Sequence, residues 1–244
     1  MVTVATGLAQ PALESGSRAQ LTKVVYAALF LIATTVSSYF LMTDYDLHLV
    51  HTKQFGLERT VTEYLPLAAS LFCLVQLSVI LSFFRSPGQM FDFRVDVPSL
   101  SRSVFGNVRL GFFAGLVALL ATLPTFLGNH RPSDAVMFLA NHFYSASGLG
   151  LLLLQVLLIP VAAEIFFHGI LLRQLLESIS VVSSLIVSTL LFTLSWLAFN
   201  LIAAAALGLA AGVVFYRTRS VLACVVANVS FTVSAIMLQI SRLP

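Results

Sequence analysis

Apolar runs long enough to cross a bilayer recur along this chain, and they leave it few ways to fold. About seven are marked off by charge, Pro or Gly: residues 24–42, 64–84, 105–127, 150–175, 181–199, 201–216 and 221–240. The hydrocarbon core of a membrane takes about 20 residues of helix, and inside it every backbone N–H and C=O must find a partner within the protein. Long continuous runs meet that demand as helices, whereas a membrane β-barrel would show short alternating segments. The expected fold is all-α, a polytopic membrane helical bundle. Composition agrees, with 59% of residues hydrophobic and 9% charged, against roughly 25% charged in soluble domains.

Lys and Arg in short flanks stay on the cytoplasmic side. Placing the N-terminus inside puts Arg18, Lys23, Arg85, Arg94, Arg102, Arg109, Arg173, Arg217 and Arg219 on that side, and Lys53, Arg59, Arg131 and Arg242 on the other. The expected product is an integral, multi-pass protein with a cytoplasmic N-terminus, whose first partner is the lipid bilayer. The net charge of +3 reads as topology; no basic cluster points to nucleic acid. Cys73 and Cys224 both fall inside apolar runs and do not read as a disulfide framework.

Residues 1–23 are polar and rich in small residues, and are expected to be disordered. The first apolar run reads as a signal anchor rather than a cleaved signal peptide. A soft boundary at about Ala146 separates an N-terminal transmembrane part, 24–146, from a C-terminal transmembrane part, 147–244. The connector 85–102 reads as an interfacial or solvated loop, and the connector 128–148 is long enough to hold a short interfacial helix over 134–144. Little more than Asn200 separates the fifth and sixth runs, so that pair is either a tight helical hairpin or a kinked, re-entrant unit.

Polar residues inside the runs concentrate in the C-terminal part. An acid at membrane depth costs about 2.5 to 3.5 kcal/mol on insertion scales, so Glu164 must face protein or trapped water, and such residues usually mark a site. His168 lies four residues on, on the same helix face, within reach of a carboxylate–imidazole contact or joint metal ligation. Pro160 frees a backbone carbonyl one turn before the acid. Thr189, Thr193, Trp196 and Asn200 form one polar stripe, and Cys224, Asn228 and Thr232 another; such stripes often do no more than join helices by hydrogen bonds. Gly208 and Gly212 form a GxxxG that lets a neighbour approach closely.

The sequence PVAAEIFFHGILLRQLL, followed by LFTLSW and ALGLAAGVVFYRTRSVLACVVAN, resembles the CPBP family, the CAAX protease and bacteriocin-processing intramembrane metalloproteases, also called the ABI family. That resemblance implies a four-helix C-terminal core whose motifs carry two glutamates, an arginine, two histidines and an asparagine; the first glutamate and the two histidines polarise a water, with or without a metal, and the asparagine can steady the oxyanion. It places Ala163 and Glu164 on the two glutamates, His168 on the arginine, Phe192 on an aromatic, Trp196 and Cys224 on the two histidines, and Asn228 on the asparagine. Gly208, Gly212, Tyr216, Arg217 and Thr218 follow the family's Gly-rich segment.

Hydrolysis needs a group that takes the water's proton, and a metal route needs three protein ligands. Ala163 and Trp196 supply neither. The first expectation is therefore a pseudoprotease, a scaffold that binds a membrane protein or peptide without cleaving it and needs no cofactor; it predicts that Trp196 fills the former water cavity and that Glu164 bonds His168 as structural glue. The alternative is an active metalloendopeptidase with a rebuilt centre, zinc held by Glu164, His168 and Cys224 with Asn228 at the oxyanion. A third reading, a proton-coupled transporter using Glu164 and His168 as a relay, finds no inverted repeat to support it.

Overall fold

A computed structural model describes residues 21–34, 68, 70–80, 82, 100–128, 134–196 and 200–242. Residues 1–20 and 85–99 lie outside this set, and with them most of the expected N-terminal disorder and the expected interfacial loop. Among the described residues the chain is all-α. Two helices of the amino-terminal half, α1 (Leu21–Thr34) and α2 (Ser70–Ile80), precede α3 (Leu100–Gly128) and α4 (Asp134–His142). The continuous helix Ala146–Ser178 then alternates between two windings: α5 (Ala146–Leu153), π1 (Leu154–Leu158), α6 (Ile159–Glu164), π2 (Ile165–Leu172) and α7 (Arg173–Ser178). It is followed by α8 (Val181–Ser195), α9 (Leu201–Thr218) and α10 (Val221–Ile240).

Four helices, Val104–Gly128, Ala146–Ser178, Leu201–Thr218 and Val221–Ile240, are long and apolar enough to cross a membrane. The protein is thus a polytopic helical membrane bundle. Its last two helices begin within a residue of a polar cap. Asn200 Oδ1 accepts from Ile202 N and Ala203 N at 3.1 and 3.2 Å, and Ser220 Oγ accepts from Ala223 N at 3.4 Å, each satisfying orphan donors of a first turn. Arg219, with φ 53° in the left-handed region, ends α9.

Helix α10 lies between α3, α9 and the long helix. Its approach to α3 is a backbone contact: a Cβ on Gly111 would sit 2.2 Å from Ala223 O, and one on Gly115 would sit 2.3 Å from Ala227 O. Two glycines four residues apart leave a groove on α3 into which the α10 backbone settles. Gly208 and Gly212, read from sequence as the close-approach pair, receive side chains instead. Gly208 faces the Phe192 ring and Gly212 faces Leu185.

Those two contacts also decide how the fifth and sixth apolar runs stand to each other. Advancing along α9 from 208 to 212 means retreating along α8 from 192 to 185, so the two helices run antiparallel as a hairpin. The polar stripe expected through Thr189, Thr193, Trp196 and Asn200 is consequently broken. Helix α8 stops at Ser195, Trp196 is its C-cap, and Asn200 belongs to the next helix, where its amide donates to Thr125 Oγ1 of α3 at 2.8 Å.

Candidate functional site

The long helix owes its unusual winding to Pro160. Proline has no N–H to donate to the carbonyl four residues back, and just ahead of it the helix widens, so that Ile159 N–H bonds Leu154 O, five residues back. The second wide segment, π2, starts directly after Glu164 and carries His168. Such bulges recur at functional sites because they re-aim side chains that a regular helix would stack. Here both aimed groups are polar, lie near the middle of a membrane-length helix, and are wholly buried, Glu164 at 0% and His168 at 0% exposure.

Two helices close around them. From α10, Asn228 Nδ2 donates to Glu164 Oε1 at 2.7 Å, and Thr232 Oγ1 donates to Asn228 Oδ1 at 3.3 Å. One turn earlier on α10, Cys224 is fully buried; its thiol points to Ala211 O at 3.4 Å and to Ser220 O at 3.5 Å. From α9, Gly208 O lies 3.4 Å from His168 Nε2. Glu164 Oε2 and His168 Nδ1 face each other at 2.5 Å, and neither makes a further hydrogen bond among the described residues. One donor atom from each of Glu164, His168 and Cys224 falls within 4.8 Å of the other two.

The remaining sequence candidates sit around this cluster. Ala163 is buried in the apolar core at 1% exposure. Trp196 is half-buried and packs on Phe192 with ring centroids 6.0 Å apart. Phe192, not Trp196, is the ring against His168, at 5.9 Å. What sequence reading missed are the carbonyls of Gly208 and Ala211, because backbone atoms carry no residue letter. The one available signal was the lack of a side chain at Gly208, which brings α9 near to Phe192 and to the imidazole.

The family model described as Type II CAAX prenyl endopeptidase Rce1-like matches residues 145–233. Over that stretch the carboxy-terminal helices are similar to the CAAX protease family. The match runs from the start of the long helix into α10 and so contains every member of the polar cluster. No curated protein and no solved structure matches the chain.

A metal in the place that the CAAX-protease resemblance implies does not fit this chain, since Ala163 and Trp196 offer no donor atom to a divalent ion there. The neighbouring set does fit in kind. A carboxylate oxygen, an imidazole nitrogen and a thiol sulfur are all zinc donors, and Glu164 Oε2 and His168 Nδ1 are buried atoms with no partner but each other. Ligand atoms on one tetrahedral zinc lie about 3.3 Å apart, so the ring and carboxylate would have to separate by somewhat under an ångström.

Proposed function

We propose that the protein is a non-cleaving member of the CAAX protease family, an integral membrane scaffold that holds a membrane protein or peptide without hydrolysing it. The observation that carries this reading is the state of Glu164. Its Oε1 is bonded by Asn228 and its Oε2 lies against His168, inside a cluster with 0 to 1% exposure. A general base must reach a water and accept its proton, and an acid already engaged on both oxygens is poorly placed to do so. One hydrogen of the Asn228 amide is likewise committed to the carboxylate. Neither Ala163 nor Trp196 can take over the base.

One observation favours a second reading, cleavage by a rebuilt centre: Glu164, His168 and Cys224 do converge. Burial weighs against it. A hydrolytic metal centre keeps a fourth position open to water and peptide, and all three side chains lie at 0% exposure.

The family description supplies the substrate class for the test, a prenylated CAAX peptide. The full chain is reconstituted in nanodiscs with a farnesylated, photo-crosslinkable CAAX peptide, and products are read by intact mass. The expected result is crosslinking to the chain with the peptide whole. Release of the terminal tripeptide that disappears in Glu164→Gln would overturn the proposal in favour of the rebuilt protease. Neither crosslinking nor release would overturn prenyl-peptide binding.

A further inference from the structure

We propose that Glu164, His168 and Cys224 form a buried site for a thiophilic divalent cation of the zinc class, held without peptide hydrolysis. The argument starts at the imidazole. His168 Nε2 faces the Gly208 carbonyl at 3.4 Å, and a carbonyl only accepts, so Nε2 is the nitrogen that carries the hydrogen. In a neutral ring Nδ1 then presents a lone pair, and what it faces at 2.5 Å is a carboxylate oxygen. Two electron-rich atoms at that separation require a cation between them. A proton would meet that need for the pair alone.

The third group tips the choice toward a metal. Cys224 comes from a different helix, yet its sulfur falls in the same 4.8 Å cluster, and its contacts to the Ala211 and Ser220 carbonyls, at 3.4 and 3.5 Å, are hydrogen bonds of a weak donor that cost little to give up. Carboxylate, thiolate and neutral imidazole together carry two negative charges, which one divalent ion balances, so the loaded site would be neutral, as burial at bilayer depth demands. The donor mix of sulfur, nitrogen and oxygen selects zinc, cobalt or cadmium over magnesium and calcium. Outer partners are already present: Asn228 fixes the other carboxylate oxygen and Gly208 O fixes the far side of the ring, the arrangement that orients metal ligands elsewhere. Such an ion would fasten the long helix to α10 across the middle of the bundle.

The test uses the full chain in detergent, expressed in zinc-replete cells. Elemental analysis is expected to find about one zinc per chain, falling severalfold in Cys224→Ala and in His168→Ala. Replacement by Co(II) should give a near-ultraviolet thiolate charge-transfer band in the wild type. Cys224→His should retain the metal and lose that band, a signature that a merely structural cysteine would not show. Should the alanine variants fail to fold, the wild type alone decides. A chain that is folded by circular dichroism and monodisperse, yet carries no zinc and yields no thiolate band with Co(II), holds a proton between Glu164 and His168, and the proposal fails. Metal content is read without any peptide, so this outcome is independent of whether the protein cleaves.

Discussion

A buried carboxylate keeps its place only while its oxygens have partners, and Asn228 is the partner of Glu164 Oε1 at 2.7 Å. Leaving a buried acceptor unsatisfied costs about 1 to 3 kcal/mol, and more when it is charged. Asn228→Ala is therefore expected to lower stability by at least about 2 kcal/mol, measured as a shift of the unfolding midpoint in mixed micelles. Asn228→Asp should be worse than Asn228→Ala, because it sets a second carboxylate against the first. A midpoint unchanged in both variants would mean that the bond is not formed. This part of the site was largely legible in the sequence. Glu164 and His168 announce themselves as ionisable residues one turn apart in an apolar run, and the resemblance located Cys224 and Asn228. Their partners on α9 were not legible, since a carbonyl oxygen belongs to any residue and only the packed fold decides which ones turn toward the site.

At the scale of helices, α3 and α10 meet backbone to backbone. A methyl on Gly115 would meet Ala227 O at 2.3 Å and Ser230 Oγ at 2.1 Å; the first is backbone and cannot rotate away, so the helices themselves must part. Gly115→Ala is expected to destabilise the bundle by about 1 to 3 kcal/mol, whereas Gly106→Ala, with nothing within 4 Å of the new methyl, should be neutral or slightly favourable on helix propensity. Equal midpoints for the two variants would refute the close approach. Asn200→Ala removes both the N-cap of α9 and the bond to Thr125, with an expected loss of about 1 to 2 kcal/mol. Helix positions were readable from apolar run length, and 221–240 coincides with α10. The hairpin was not, because a break as short as the one at Asn200 allows a kink or a turn until Phe192 and Leu185 are seen facing Gly208 and Gly212. Nor was the groove on α3 read: Gly111 and Gly115 stand at the same four-residue spacing as the GxxxG of α9, and only the packing partners tell which pair meets a backbone.

Across the whole molecule, the two cysteines report on different depths of the bundle. Cys73 is half-buried in α2, whereas Cys224 is enclosed between α10, α9 and the long helix at 0% exposure. A thiol reagent can reach Cys224 only when those helices separate, and they share so much of one core that separation amounts to unfolding. In a Cys73→Ser chain, Cys224 is the sole thiol, so its labelling rate measures how often the whole bundle opens. With native proteins stable by about 5 to 15 kcal/mol, labelling in mild detergent should be at least about a thousandfold slower than in dodecyl sulfate. Fast labelling under native conditions would place the thiol in an accessible cavity, which would return water to Glu164 and revive the hydrolytic reading. Slow labelling that accelerates in Gly115→Ala would tie the closure of the polar cluster to the α3–α10 junction, since α10 carries both the residues that settle on α3 and the two, Cys224 and Asn228, that complete the cluster.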